Sequence, residues 1–252
     1  FSAALVAQRT TGLTPVFDFL DARAGIANHG NSIEPFLKEL GYACKPRPRS
    51  RYGSIFVSIL DRLLARFRSA IGADRNNFIG KNPGWSGDLT NITWLGGPLS
   101  GYFQAHAYVE QAGRPLEELL ERIRGVCDSS CAITGFDKGF GAVHARRGDY
   151  LSIAKDLGAI DLNSMIEVLR EWSKDSPVIV HSDDSLFAEE LASSLEQGSS
   201  YKPNRHNASD FHELVHLSRA KRFFLTNSSF GWWAAYMSGS SDITAPSPWF
   251  RA

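Results

Sequence analysis

No apolar run in this chain approaches the roughly 20 residues that a membrane-spanning helix needs, and no signal-peptide pattern stands at its start. Net charge is absent too, because Lys+Arg and Asp+Glu are 27 each. A nucleic-acid-binding protein usually carries a basic excess, so this balance argues against that class. Any anionic ligand must then be held by local charge. Cysteine is scarce and odd in number: Cys44, Cys127 and Cys131. The Cys-x3-Cys spacing of the last two is not a zinc pattern without a second pair. Thiols in a reducing compartment are therefore the expectation, with a Cys127–Cys131 disulfide as the alternative. Internal repeats and low-complexity tracts are also missing. The chain does not begin with Met, and residues 1–9 read as the middle of a helix.

At 43% hydrophobic and 21% charged residues, the composition is that of an ordinary globular protein. The 252 residues suffice for one large domain or two smaller ones. Apolar positions 1, 4 and 5 predict a helix that Gly12 ends, followed by a short strand over residues 15–20. The proline-broken basic stretch from Lys45 to Arg51 cannot be a helix interior. It reads as a solvated loop, with anion contact as the alternative. A helical pattern runs from Ile55 to Phe67. Residues 75–101 read as loops around short strands, and a helix runs from Pro115 to Arg124. Cys127 to Gly141, rich in Ser, Gly and Asp, is the candidate domain boundary.

Beyond it the alternation is cleaner. Strands are predicted at 141–144, 177–181, 222–226 and 242–245. Helices are predicted at 163–172, 186–195, 210–219 and 230–237. This rhythm predicts an α/β fold, a parallel sheet with helices on both faces.

Three of the predicted strands end in polar clusters: His144 to Asp149, Ser182-Asp183-Asp184, and Asn227-Ser228-Ser229. Ligands of open parallel sheets bind at the carboxyl ends of the strands, so these clusters should converge on one crevice. Arg146 and Arg147 supply planar forks of donors that grip phosphate oxygens. The start of the helix at Phe230 is itself an anion site. Carboxylates suit ribose hydroxyls or the N1–H and N2–H donors of guanine. A nucleoside diphosphate is the natural occupant.

Each feature also has a plainer reading. Asp183 and Asp184 could cap the following helix or bind a metal, Ser228 and Ser229 could be caps, and Asp210 could cap its own helix. Trp232 and Trp233 should pack in the core against the sheet. His212 and His216 share a helix face, yet no Glu follows in a His-Glu-x-x-His order, so packed or solvated histidines are expected rather than a zinc site. The Asn-x-Ser/Thr tripeptides at Asn91, Asn207 and Asn227 occur often by chance.

His144-Ala145-Arg146-Arg147-Gly148-Asp149-Tyr150 resembles the signature of the α-1,2-fucosyltransferase family. Gly101-Tyr102-Phe103-Gln104, Ser182-Asp183-Asp184, the stretch from Leu217 to Ala235 and the ending from Ala245 to Phe250 resemble further blocks of that family. The resemblance implies two facing Rossmann-like domains of GT-B type with parallel sheets. Residues 1–135 would form the acceptor-side domain and 136–252 the GDP-fucose domain. It implies an inverting transfer of L-fucose from GDP-β-L-fucose to a β-galactoside hydroxyl, giving an α-1,2 linkage without a metal or other cofactor.

Carried over by position, Arg146 would hold the leaving diphosphate and Arg147 would support its loop. His144, Asp183, Asp184 and Asp210 would line the nucleotide, with Asp210 toward guanine. Asn227, Ser228 and Ser229 would meet the phosphates, and Asp149 is the candidate base. The family's first strand and its Gly-x-x-Gly-Asn-Gln loop are not in the sequence ahead of Phe1. The alternatives are a fucosyltransferase of another linkage, α-1,6 or protein O-linked, and a non-catalytic nucleotide- or carbohydrate-binding module. The partners implied are GDP-fucose and a galactoside or glycan acceptor. Trp85, Trp94 and Tyr102 could stack on a sugar face or belong to the core. The expected compartment is a bacterial cytoplasm, with a Golgi lumen reached through an upstream anchor as the alternative.

Overall fold

The computed structural model describes residues 2–12, 14, 16–17, 37–44, 63, 106–130, 139–148, 162–201 and 210–246. The chain divides into two compact units, Phe1–Ile123 and Arg124–Ala252.

In the first unit, α1 (Ser2–Thr11) packs against α2 (Ala107–Ala112). Leu5, Val6, Tyr108, Val109 and Ala112 are buried there. Two short strands, β1 (Val16–Phe17) and β2 (Ala43–Cys44), pair in parallel. Helix α3 (Arg114–Ser130) begins in this unit, and Arg122 donates to the carbonyl of Leu40. This helix corrects two expectations. It continues well past Arg124, and Cys127 to Ser130 belong to its last turns rather than to a boundary loop. The cause is periodicity: Leu116, Leu119, Leu120, Ile123 and Cys127 fall on one stripe, and all are buried. That stripe outweighs the helix-breaking character of Gly125 and the closing serines.

The second unit is a five-stranded parallel sheet of β3 (Gly141–Ala145), β4 (Val178–Ser182), β5 (Gly198–Tyr201), β6 (Arg222–Leu225) and β7 (Asp242–Thr244), in the order β5-β4-β3-β6-β7. The crossovers carry α4 (Leu162–Ser173), α5 (Ser185–Ser193), α6 (Asp210–Leu217) and α7 (Ser229–Ser238). Side chains alternate across a strand, so the two faces are read directly. Val143, Ala145, Val178, Val180 and Phe224 face α4 and α5, whose Met165, Leu169, Trp172, Phe187 and Leu191 complete one core layer. His144 and His181 lie on the opposite face, toward α7 and α6. The expected α/β fold with a parallel sheet is therefore present.

Strand β5 was not legible: Gly-Ser-Ser-Tyr carries no apolar alternation, and as an edge strand it is held by β4 alone. Helix α2 and strand β2 were likewise not foreseen. The tryptophans are a correction. Trp232 and Trp233 are only partly buried and form an aromatic group with Tyr236, the Trp232 and Tyr236 rings stacked at 5.5 Å. The buried face of α7 is instead Gly231, Ala234, Ala235 and Met237. A Cβ on Gly231 would stand 3.1 Å from the Cβ of His144, so this helix approaches the sheet too closely for a large side chain.

No helix among the described residues is long and apolar enough to cross a membrane. The expectations for residues 45–62, 64–101 and 102–104, for Asp149 and Tyr150, and for residues 247–250 lie outside the described residues.

Candidate functional site

The strand order reverses between β3 and β6, the neighbours at the centre of the sheet. In open parallel sheets the crevice forms at the carboxyl ends of the strands at this point. Here β3 runs into Arg146-Arg147-Gly148, β6 runs into Thr226 and the start of α7, and β4 runs into Asp183-Asp184. The three polar clusters thus share one edge of the sheet.

Asp183 organises the arginine turn. Its Oδ1 accepts from the backbone N–H of Arg147 at 2.7 Å, and its Oδ2 accepts from the backbone N–H of Gly148 at 3.1 Å. The same Oδ2 lies 3.5 Å from Nε of Arg146. A Cβ at Gly148 would sit 2.7 Å from Oδ2 of Asp183, so a larger residue there would push this carboxylate out of its present contact. Asp184 accepts from the N–H of Phe187 and so caps α5, and it pairs with Nε of Arg147 at 3.3 Å. The hydrogen bond from Phe187, chiefly, holds the Asp184 carboxyl below its usual range. Arg147 lies over the Phe187 ring at 4.0 Å, a cation–π contact that fixes its guanidinium against α5. Arg147 is thus tied to Asp184 and Phe187, whereas Nε of Arg146 is paired with Asp183; both side chains are partly exposed.

The other two strands close the turn from behind. The hydroxyl of Thr226 donates to the carbonyl of His144 at 3.0 Å and accepts from the N–H of Arg146 at 3.3 Å. The hydroxyl of Ser182 donates to the carbonyl of Ala145 at 2.7 Å and accepts from the N–H of Asp184. Ser182 belongs to a polar cluster marked in the sequence, but its bracing of the turn was not foreseen, and Thr226 was not singled out. The only signal for Thr226 was its place at the end of β6, beside Asn227.

Ser228 stands at the N-cap of α7 in an extended conformation and makes no side-chain capping bond. Asn227 and Ser228 are buried and Ser229 is exposed, so the accessible hydroxyl at this helix start is that of Ser229. Burial of Asn227 also removes it as a glycan acceptor. Asp210 is the first residue of α6, on the crossover that follows β5.

Behind the turn, on the face toward α6 and α7, lies a buried polar group. His144 and His181 are register partners on β3 and β4. The His144 ring stands 5.1 Å from that of Phe230, and its buried Nδ1 has no hydrogen-bond partner among the described residues. Nδ1 of fully buried His181 lies 3.1 Å from Oε1 of Glu213. His216 packs against Phe140, His181 and Tyr201. Burial pushes His144 and His216 down to about 4 and His181 down to about 3, so all three are neutral at pH 7. Burial raises the Glu213 carboxyl. His216 is therefore a packed histidine, and among the described residues no group of three or more His, Cys, Asp or Glu is placed to hold a metal.

The comparisons decide the family. Residues 99–249, more than half of the chain, match the model of glycosyl transferase family 11. The chain belongs to that family. It is a fucosyltransferase family. The match includes the whole of the arginine turn and the sheet that carries it. Among curated proteins no sequence matches the chain. Solved structures similar to it include POFUT1 in complex with GDP, at 15% identity and a TM-score of 0.36, covering 50% of this chain and 46% of that one. Another is POFUT1 in complex with GDP-fucose, at 13% identity and a TM-score of 0.37, covering 58% and 52%. The family 11 chain thus spans about half the length of these structures.

Proposed function

We propose that this family 11 chain transfers L-fucose from GDP-β-L-fucose to a galactoside hydroxyl, with inversion, to give an α-1,2 linkage. The observation that carries the reading is the arginine turn at the central switch point of the sheet, beside the N-terminus of α7. Arg146 is presented there with its backbone fixed by Thr226 and its Nε fixed by Asp183. A guanidinium so held, together with the first N–H groups of α7 and the Ser229 hydroxyl, suits a diphosphate.

Fucose leaves the diphosphate through an oxocarbenium-like state, so stabilising the departing negative charge lowers the barrier. Arg146 and the helix terminus supply that stabilisation. Asp210 takes the guanine edge, His144 lies against the nucleotide, and Asp149 removes the proton of the acceptor hydroxyl. Asn227 and Ser228 shape the start of α7 around the phosphates. Asp183 and Asp184 contribute through the turn they brace. The acceptor side is formed by the first unit in a two-domain GT-B arrangement.

The test is thermal stabilisation by GDP, GDP-fucose, UDP and ADP in parallel, since a ligand that binds only the folded state raises the melting temperature by mass action. Shifts with GDP and GDP-fucose alone support the reading. A shift with UDP or ADP instead would remove it. Incubation with β-galactosides and linkage analysis of the product then separates α-1,2 from α-1,6 or protein O-linked transfer. Binding of GDP with no product from any acceptor would favour a non-catalytic module.

A further inference from the structure

We propose that Glu213, anchored by His181, is a positioning residue for recognition of the nucleobase: it sets where Asp210 and His144 stand. The inference rests on the assignment of Asp210 to guanine. Glu213 lies one turn after Asp210 on α6, a spacing that puts both on one face of the helix. Its Oε1 is bound to His181 on β4, and His181 is the lateral neighbour of His144 on β3. One carboxylate thus links the two strands of the crevice floor to the helix that carries Asp210.

A largely buried carboxylate, 18% exposed at Glu213, beside a neutral imidazole is costly unless the geometry between them is kept. That cost fixes the rotation of α6, a helix of only 8 residues. Leu214, Val215 and Leu217 hold α6 to the sheet by burial, which is nondirectional. The Glu213–His181 bond is directional.

The bond has no chemistry of its own in fucosyl transfer, so its effect should appear in choice of base and not in the transfer step. GDP and IDP differ by the exocyclic amino group of guanine, one of the donors a carboxylate at Asp210 would accept. The experiment measures the dissociation constants of both nucleotides by calorimetry for the wild type, Asp210→Asn, Glu213→Gln, and the double variant His181→Phe/Glu213→Leu. The double variant replaces both members by apolar groups, so that neither is left buried without its partner, and circular dichroism confirms its fold.

The preference for GDP over IDP should fall roughly tenfold in Asp210→Asn and by a similar factor in the double variant. Glu213→Gln keeps a hydrogen bond to His181 and should retain most of the preference, and kcat at saturating donor should change little in the double variant. Loss of preference in Asp210→Asn with full preference in a folded double variant overturns the positioning role alone. Full preference in Asp210→Asn overturns the nucleobase assignment and this inference with it.

Discussion

Asp183 grips the turn that carries Arg146 from two sides, with one carboxylate oxygen on the N–H of Arg147 at 2.7 Å and the other on the N–H of Gly148 at 3.1 Å. A residue expected from the sequence to face the nucleotide is thereby engaged with the protein. Replacing Asp183 by Ala leaves two N–H groups and the Nε of Arg146 without their acceptor. Hydrogen bonds to a charged group contribute roughly 1.5–3 kcal/mol. Asp183→Ala should therefore lower kcat/KM for GDP-fucose by roughly 10- to 100-fold. Steady-state kinetics at several donor concentrations checks this, and unchanged kcat/KM would remove Asp183 from the site.

Gly148 offers an independent route to the same contact. A Cβ at 2.7 Å from Oδ2 of Asp183 forces one of them to move. Gly148→Ala should lose activity comparably, and it should cost far less when Asp183 is already Ala. A double-mutant cycle measures this coupling. Strict additivity of the two losses would mean that they act separately.

Arg146 and Arg147 are adjacent yet differently committed. Arg147 is bound to Asp184 and stacked on Phe187, whereas Arg146 is paired with Asp183. Arg146→Ala should abolish measurable transfer and weaken GDP, and Lys should rescue poorly, because an ammonium lacks the planar fork. Arg147→Ala should mainly lower the melting temperature, with a smaller loss of turnover. Equal effects of the two substitutions on GDP affinity would contradict this division.

The buried histidines give the second unit a pH dependence with a definite sign. Burial lowers His144 and His216 to about 4 and His181 to about 3, from an ordinary value of 6.5. Such groups stabilise the fold fully above 6.5, and the contribution is lost as pH falls from there toward the folded values. Glu213 is raised from 4.5, so its contribution is present below that value and is lost as pH rises through the folded one; it offsets part of the acid-side loss. Stability measured by urea unfolding should fall steadily from pH 7 to pH 5, with uptake of up to about three protons on unfolding. His181→Phe should flatten that slope. Stability that is level or rising over this range would count against the neutral buried state.

The second unit was legible because its strands are apolar runs bounded by polar turns, and because a parallel sheet sends the ends of such strands to one edge. That the ends of β3, β4 and β6 share one edge followed from that rule alone. Partnerships were not legible. Nothing in Asp183-Asp184 tells that one carboxylate braces a glycine turn 35 residues earlier while the other caps a helix. Glu213 and His181 escaped notice because a buried polar pair looks, in sequence, like an ordinary surface Glu and a strand His. The tryptophans misled because size suggested burial, whereas the tight approach of α7 to His144 admits only small residues. The length of α3 was missed because Gly and Ser at its end outweighed, on reading, a stripe that the fold obeys.

The central strand β3 meets β6 through residues far away in sequence, Gly141 opposite Arg222 and His144 opposite Leu225. Both lateral partners of β3, the strands β4 and β6, are synthesised after it. A chain growing from its N-terminus exposes an apolar strand with two bare edges until both arrive, and such non-local pairing is slow to form. The contact of Thr226 with the arginine turn is made only at that last pairing. Arg146 therefore acquires its final backbone setting late in folding, and a chain truncated before β6 should be prone to edge-to-edge aggregation.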